Sequence, residues 1–244
     1  MSAEPRIEVH PDADTLAHAV AGELLDRIHQ AQASGHVPQI CLTGGTIAEA
    51  IHRQIAVIAD ASGVDWGAVD FWWGDERFVS ADSPDRNEGQ ARAAFLDALG
   101  VPAHRIHAMP STDDVADVDA AAAAFEQAVR EHGSGGFDLL MLGVGPDAHI
   151  ASLFPHHPDA ALTDHIAVAV HDSPKPPPER ISFTFEALAR SRSVWFLVSG
   201  EGKADAVAAA LADPTPSRVD VPAAGVRGED ETVWFLDRDA ASRL

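Results

Sequence analysis

The chain has 244 residues, 46% of them hydrophobic, which is typical of a folded globular protein and excludes general disorder. Its 17 basic and 38 acidic residues give a formal net charge of −21, a field that repels nucleic acids and anionic membranes and argues against both as partners. The same field opposes an anionic metabolite, so a phosphate site needs a local cluster of positive groups.

Short β-rich runs alternate with alanine-rich helical stretches along the chain. Fully apolar short strands that alternate with helices are typical of a mostly parallel sheet covered on both faces. The sequence therefore predicts a single doubly wound, Rossmann-like α/β domain over residues 1–244. The predicted strands are residues 6–10, 39–42, 69–73, 105–109, 137–142, 166–170, 194–198 and 232–236, and the predicted helices are residues 15–32, 48–59, 88–99, 115–132 and 203–212.

Cysteine content and the N-terminal stretch bear on the compartment. Cys41 is the one cysteine, so no intrachain disulfide can form, and its apolar surroundings predict a small buried side chain. Residues 1–15 are acidic and polar and lack the basic-then-apolar pattern of a secretion signal. We therefore expect a cytoplasmic protein without a membrane span.

In open α/β sheets, ligands bind beyond the carboxyl ends of the strands. The first candidate strand end is Thr43-Gly44-Gly45-Thr46, which opens onto a helix. It is either a plain tight turn or a loop whose backbone N–H groups meet an anion. The second is Gly74-Asp75-Glu76-Arg77, either a solvated turn or a site element. In the latter case Arg77 steers an anion or oxyanion, and Asp75 orients Arg77 or binds substrate hydroxyls.

A third strand end, after residues 137–142, carries Asp147 and His149. Histidine suits general-base chemistry near neutral pH, although a loop histidine is equally well explained by solvation. Lysines are scarce: Lys175 falls in a proline-rich loop, residues 173–180, and Lys203 opens a helix after residues 194–198. Lys203 is either an ordinary surface lysine or a partner for bound phosphate.

Metal binding and serine-nucleophile chemistry find little support. The 13 histidines lack companion ligands at metal-binding spacing, and no GxSxG element is present. No metal site is therefore predicted.

Five stretches together resemble the glucosamine-6-phosphate isomerase/6-phosphogluconolactonase family, on its lactonase side. They run in family order across nearly the whole chain: LTGGT (42–46), WGDERFV (73–79) followed by Asn87, FDLLMLGVGPDAHIASLFP (137–155), SPKPPPERISFT (173–184) and GEGKADAV (200–207). The GDER and histidine stretches are the specific ones.

The resemblance implies hydrolysis of 6-phospho-D-glucono-1,5-lactone on a fold related to the sugar-phosphate isomerases. It implies no metal or organic cofactor and a small-molecule phosphosugar lactone as ligand. We separately expect a monomer or small homo-oligomer. By motif, His149 is expected to activate water and Arg77 to serve as the arginine of the GDER element. Lys203 and Arg180 are expected to contact phosphate or carbonyl, and the Thr43–Thr46 turn to bind phosphate.

The chain departs from the family pattern at three positions. The usual glycine-rich loop reads like GGSTP, whereas residues 44–48 here read GGTIA and lack the proline; Ala148 replaces the glycine of Asp-Gly-His, and Ala224 replaces a serine near the C-terminus. Ala148 is tolerable at negative φ and costs about 1 kcal/mol or more at positive φ.

Two alternatives stay open. A glucosamine-6-phosphate deaminase-like enzyme shares the fold, but such enzymes place a carboxylate after the histidine, where this chain has Ser152-Leu153-Phe154-Pro155. A sugar-phosphate-binding regulator without catalysis is compatible with Ala148, although His149, Arg77 and Lys203 together argue against it.

Overall fold

The computed structural model describes residues 4–244, so the first three residues of the predicted N-terminal stretch and domain lie outside the description. Its strands are β1 (Arg6–His10), β2 (Gln39–Leu42), β3 (Asp70–Trp73), β4 (Asp75–Arg77), β5 (Leu139–Gly143), β6 (Ala167–Val170), β7 (Arg180–Phe183), β8 (Ser193–Val198) and β9 (Glu231–Asp237). Its α-helices are α1 (Ala13–Ala33), α2 (Thr46–Ile58), α3 (Asn87–Ala91), α4 (Val118–His132), α5 (Phe185–Leu188) and α6 (Ala204–Ala210).

Six strands form one parallel sheet in the order β1-β9-β8-β5-β2-β3. The chain moves outward from β2 to β3, and later outward in the other direction from β5 to β8 and β9. The strand order therefore reverses between β2 and β5, and the crevice at such a reversal is the usual ligand site of this architecture. The predicted doubly wound parallel sheet is confirmed.

Each face of this sheet carries its own apolar core. On β3, Phe71 and Trp73 pack with α1 and α2, whereas Trp72 packs on the other face with α4. This alternation follows from the two-residue period of a strand. Because both faces are covered, the polar groups with access to solvent gather at the two ends of the strands.

Local sequence explains where the long helices begin. Asp12 caps α1 by accepting a 2.8 Å hydrogen bond from the Thr15 N–H, and Asp117 caps α4 by accepting one from Ala120 at 2.8 Å. The predicted helix 115–132 therefore starts later, at Val118. Among residues 4–244, no helix combines the length and apolarity that a membrane span requires.

A second sheet was not predicted. It is antiparallel, with the order β4-β7-β6, and includes the predicted strand at residues 166–170. β4 consists of Asp75-Glu76-Arg77, a charged triplet with no apolar pattern, so only its pairing with β7 makes it a strand. The register places Arg77 opposite Arg180 and Asp75 opposite Ser182.

Two predicted elements differ from those observed. The predicted strand 105–109 is wrong: a 3₁₀ turn occupies Ala103–Arg105, and Ile106 forms a single bridge to Phe71. Pro110 ends this run, because proline has no N–H to donate to a strand ladder. The predicted helix 88–99 consists of α3 followed by a π-helical turn at Arg92–Leu96.

Candidate functional site

A cleft of about 640 Å³ lies at the carboxyl edge of the parallel sheet, where the strand order reverses. Its walls come from the loops that follow β2, β3, β5 and β8 and from β7. All nine predicted site residues line it: Thr43, Gly44, Gly45, Thr46, Asp75, Arg77, His149, Arg180 and Lys203. The fold thus brings together side chains that are up to 160 residues apart in sequence.

The loop after β2 presents the N-terminus of α2 to the cleft. Gly45 is the N-cap residue at φ +98°, and within the described chain no side chain caps this helix. A Cβ on Gly44 would lie 1.8 Å from the Asn87 carboxamide oxygen, so only glycine allows this close approach. The uncapped N–H groups and the helix dipole make this corner suitable for an anion.

Arg77 is held by the segment that begins α3. Its guanidinium donates to the side-chain oxygen of Asn87 and, at 3.0 Å, to the carbonyl of Asp85. Buried Glu76 fixes that segment by accepting hydrogen bonds from the N–H groups of Asn87 and Glu88 at 2.8 and 2.9 Å. Burial raises the pKa of the Glu76 carboxyl, although Arg86 and these N–H groups counteract the shift.

Asp75 does not orient Arg77 through its carboxylate, so that part of the prediction is wrong. Its carboxylate accepts a 2.7 Å hydrogen bond from the Ser152 hydroxyl and lies 3.9 Å from the Arg180 guanidinium. The reason is strand geometry: Asp75 lies opposite Ser182 on β7, on the side of the sheet that meets the loop after β5. Asn87 is the side chain that Arg77 contacts instead.

His149 is oriented by its own loop. Its Nδ1 lies 2.5 Å from the Asp147 carboxylate, and its ring packs 4.5 Å, centroid to centroid, from that of Phe154. Gly145 lets the loop fold back, because a Cβ there would lie 1.9 Å from Nδ1. With Nδ1 bonded to Asp147, the other ring nitrogen, Nε2, is left as the acceptor.

Ala148 has a φ of +63°, the positive-φ conformation in which a residue with a Cβ is strained. An L-residue there costs about 1 kcal/mol. The loop is held nonetheless: the Ala148 N–H donates to the Gly145 carbonyl at 2.9 Å, and the Ala148 carbonyl accepts from Ala223 N–H at 3.0 Å. The Pro222-Ala223-Ala224 segment therefore supports the histidine loop through its backbone.

The remaining predicted cations have different surroundings. Lys203 donates to the Val144 carbonyl at 2.7 Å, and burial, together with the charge of Lys175, lowers its pKa. Arg180 is buried and donates to the carbonyls of Lys175, Pro176 and Pro177 at 3.1–3.2 Å. Much of the hydrogen-bonding capacity of Arg180 is therefore used within the protein.

Sequence reasoning missed two residues of the site. Asn87 follows the GDER element by ten residues, and its contact with Arg77 depends on how the intervening loop folds back. Lys175 lies 3.1 Å from both Asp147 and His149, although it was placed only in a proline-rich loop. The usable signal was the scarcity of lysine combined with a proline-rich loop that can form a wall of a site.

Burial opposes ionisation of Asp147, but the hydrogen bonds from His149 and Lys175 and the charge of Lys175 outweigh it and hold the pKa of that carboxyl below its ordinary value. Asp147 is therefore a carboxylate next to the imidazole. Within residues 4–244, no three His, Cys, Asp or Glu side chains converge in the manner of a metal site.

A doubly wound sheet with a cation-lined cleft at its strand-order reversal defines an α/β protein built to bind a small anionic ligand. Residues 11–234 match the family described as glucosamine-6-phosphate isomerases/6-phosphogluconolactonase, and the chain belongs to this family.

Individual relatives and solved structures of this family are similar to the chain over nearly its whole length. A 6-phosphogluconolactonase of Mycobacterium tuberculosis is 46% identical, over 98% of both chains. One of Streptomyces coelicolor is 44% identical, over 100% of this chain and 96% of the relative. Among solved structures, the 6-phosphogluconolactonase of Trypanosoma brucei superposes with a TM-score of 0.85 at 25% identity, covering both chains fully.

Proposed function

We propose that the chain is a 6-phosphogluconolactonase, which hydrolyses 6-phospho-D-glucono-1,5-lactone to 6-phospho-D-gluconate. The observation that carries this proposal is His149 in the cleft, with Nδ1 bound to Asp147 and Nε2 left as an acceptor, among Arg77, Lys203 and the N-terminus of α2. The lactonases named above, at 44–46% identity, support the substrate.

The imidazole supplies the proton transfers. Nε2 of His149 takes a proton from water as the water oxygen bonds to the lactone carbonyl carbon. The resulting imidazolium is stabilised by the Asp147 carboxylate. When the tetrahedral intermediate collapses, the bond from that carbon to the ring oxygen breaks and the imidazolium returns the proton to that oxygen. The product is the open-chain acid, formed by addition of one water molecule across the bond that breaks, and His149 returns to its neutral form.

The positive groups of the cleft have two tasks. One is to stabilise the oxyanion of the tetrahedral intermediate, for which Arg77 is suited because Asn87 and the Asp85 carbonyl hold its guanidinium in place. The other is to bind the phosphate, for which the α2 N-terminus and Lys203 are suited. Arg180 is better suited to holding the proline-rich loop, since it donates to three of its carbonyls.

The residues after His149 favour hydrolysis over the deaminase-like alternative. Ser152, Leu153 and Phe154 are buried, and their positions serve packing and the hydrogen bond from Ser152 to Asp75. By the motif resemblance, deaminase-like enzymes are expected to carry a carboxylate after the histidine, and residues 150–155 contain none. The family includes both activities, so the fold alone does not separate them.

The test is the rate at which freshly made 6-phosphogluconolactone is lost, measured as acid release above spontaneous hydrolysis. We expect a large acceleration, and a much smaller one with unphosphorylated glucono-1,5-lactone, because the anion corner of the cleft is then empty. Loss of lactone no faster than the blank would refute the proposal. Ammonia release from glucosamine-6-phosphate would favour the alternative.

A further inference from the structure

Lys175 places an ammonium group beside the Asp147–His149 pair. Its Nζ lies 3.1 Å from the Asp147 carboxylate and 3.1 Å from Nδ1 of His149. Its backbone is held from two sides, because its carbonyl accepts hydrogen bonds from Arg180 at 3.1 Å and from the Ser173 hydroxyl at 3.0 Å. The position of this charge is therefore built into the proline-rich loop.

The distances assign the shared proton. Nδ1 of His149 and the Asp147 oxygen are 2.5 Å apart, and two lone pairs would repel at that separation, so a hydrogen lies between them. Since the carboxylate is the weaker base, Nδ1 carries that hydrogen. A protonated Nδ1 cannot accept from Lys175. Of these two neighbours, the ammonium is therefore hydrogen-bonded to Asp147, and it faces the imidazole as an unshared positive charge.

A carboxylate beside a histidine favours the imidazolium, whereas a nearby cation disfavours it. An imidazolium has no lone pair with which to accept a proton from water, so Asp147 by itself would reduce the fraction of His149 that can start the reaction. We propose that Lys175 is a positioning residue whose ammonium charge, 3.1 Å from both the Asp147 carboxylate and the His149 ring, offsets the charge of Asp147 at that ring and so supports His149 as the base. This inference rests on the proposed function.

Charged side chains reach this cleft from every surrounding element. The negative ones are Asp147, Asp75 and Asp14, and the positive ones are Lys175, Arg77, Arg180, Lys203 and Arg53. Within the described chain, Lys175 is the cation at hydrogen-bonding distance from the His149 ring. Its field also reaches across the cleft, since after burial it is the next cause that lowers the pKa of Lys203.

The experiment compares Lys175→Met, Lys175→Arg and Asp147→Asn with the wild type. Two readouts are used: the pH dependence of kcat/KM, and the pH titration of the His149 ring by NMR in substrate-free protein, assigned with His149→Gln. Methionine keeps the aliphatic stem and removes the charge, and arginine retains the charge. Thermal unfolding checks that each variant is folded.

We expect Lys175→Met to move the acidic limb of kcat/KM, and the NMR transition of the His149 ring, to higher pH, because the cation that disfavours the imidazolium is gone. Lys175→Arg should stay close to the wild type. Asp147→Asn should move the midpoint the opposite way, because the charge favouring the imidazolium is gone. A merely structural role for Lys175 would lower activity at every pH without moving the midpoint.

The proposal is overturned if folded Lys175→Met titrates as the wild type does, or if Lys175→Arg shifts as far as Lys175→Met. The NMR readout needs no turnover. A wild type without lactonase activity but with the expected titration shifts would therefore refute the proposed function and leave the electrostatic role of Lys175 supported.

Discussion

The two ends of the parallel sheet handle buried polar groups in opposite ways. At the amino end, Asp70 accepts hydrogen bonds from Gln39, Arg105 and His107 at 2.7, 3.0 and 3.0 Å, and Gln39 accepts one from Trp72 at 2.9 Å. His107 also stacks on Trp72, with ring centroids 3.9 Å apart. We call this network closed, because its polar groups hydrogen-bond to one another.

At the carboxyl end, the polar groups are held in place by hydrogen bonds on one side only. Asn87 and Asp147 each fix one side of a functional group, Arg77 and His149 respectively, and the other side lines the cleft. A closed network contributes stability and specifies packing, whereas an open one keeps hydrogen-bonding capacity for a ligand. Partial satisfaction of hydrogen-bonding groups, rather than their polarity or burial, therefore distinguishes the site.

The largest expected effect is at the open end. His149→Ala should lower kcat/KM by about 10³-fold, since general acid–base catalysis typically contributes 10²–10⁴-fold, while the melting temperature changes little. The matched control is His107→Ala in the closed network, whose histidine side chain is similarly buried, 12% against 16% exposed. It should destabilise the fold and leave kcat/KM of the folded fraction unchanged. Equal loss of activity in both variants would show that the two ends of the sheet do not differ in function.

Next in size is the loss of stability on opening the closed network. Asp70→Asn should lower the free energy of unfolding by about 2 kcal/mol, because the Arg105 and His107 donors lose their ionised acceptor in a buried position. Urea unfolding at pH 7 measures it. Asp230→Asn is the control, since Asp230 pairs with Arg192 on the surface and should cost under about 1 kcal/mol. Similar costs for both would show that the Asp70 network contributes little.

His52 belongs to neither end and shows what an unpaired buried histidine does. It is fully buried, and burial lowers its pKa from 6.5 to about 4. At low pH the unfolded chain therefore binds a proton that the native state does not. The contribution of neutral His52 to the free energy of unfolding is fully present above pH 6.5 and is lost as the pH falls toward 4. Between pH 7 and 4.5 this amounts to about 2 kcal/mol. In His52→Gln, urea unfolding at the two pH values should show a loss smaller by that amount; an unchanged loss would contradict the assignment.

The smallest effect concerns the histidine loop itself. Ala148→Gly should raise the free energy of unfolding by about 1 kcal/mol, because glycine adopts the positive φ found there without strain. Ala123→Gly, on the exposed side of α4, should instead lower it by roughly 0.5–1 kcal/mol. Turnover by Ala148→Gly should stay within about twofold of the wild type. Destabilisation by both glycines would mean that the loop is not strained.

Much of the architecture was predictable because its signals are local. The parallel strands are apolar runs, the long helices have apolar spacing and acidic caps, and the loops with chemistry directly follow strands. β4 and β7 escaped prediction because Asp75-Glu76-Arg77 has no strand pattern, and its pairing partner lies about 100 residues away. The prediction for residues 105–109 failed because the run contains one β-branched residue, Ile106, and the 3₁₀ turn at Ala103–Arg105 takes up its first position.

For the site, local sequence was enough to predict which residues gather at the cleft, since parallel strands bring their carboxyl ends to one edge. Only the tertiary structure decided their partners. It joins Asp75 to Ser152 and Arg180, Arg77 to Asn87, and Lys175 to the Asp147–His149 pair. Such contacts depend on how loops and strands pack in three dimensions, even where the partners are only ten residues apart, as Arg77 and Asn87 are. Local composition and spacing do not encode that packing. The backbone angle of Ala148 is of the same kind, because the surrounding loop imposes it on a residue that would locally avoid it.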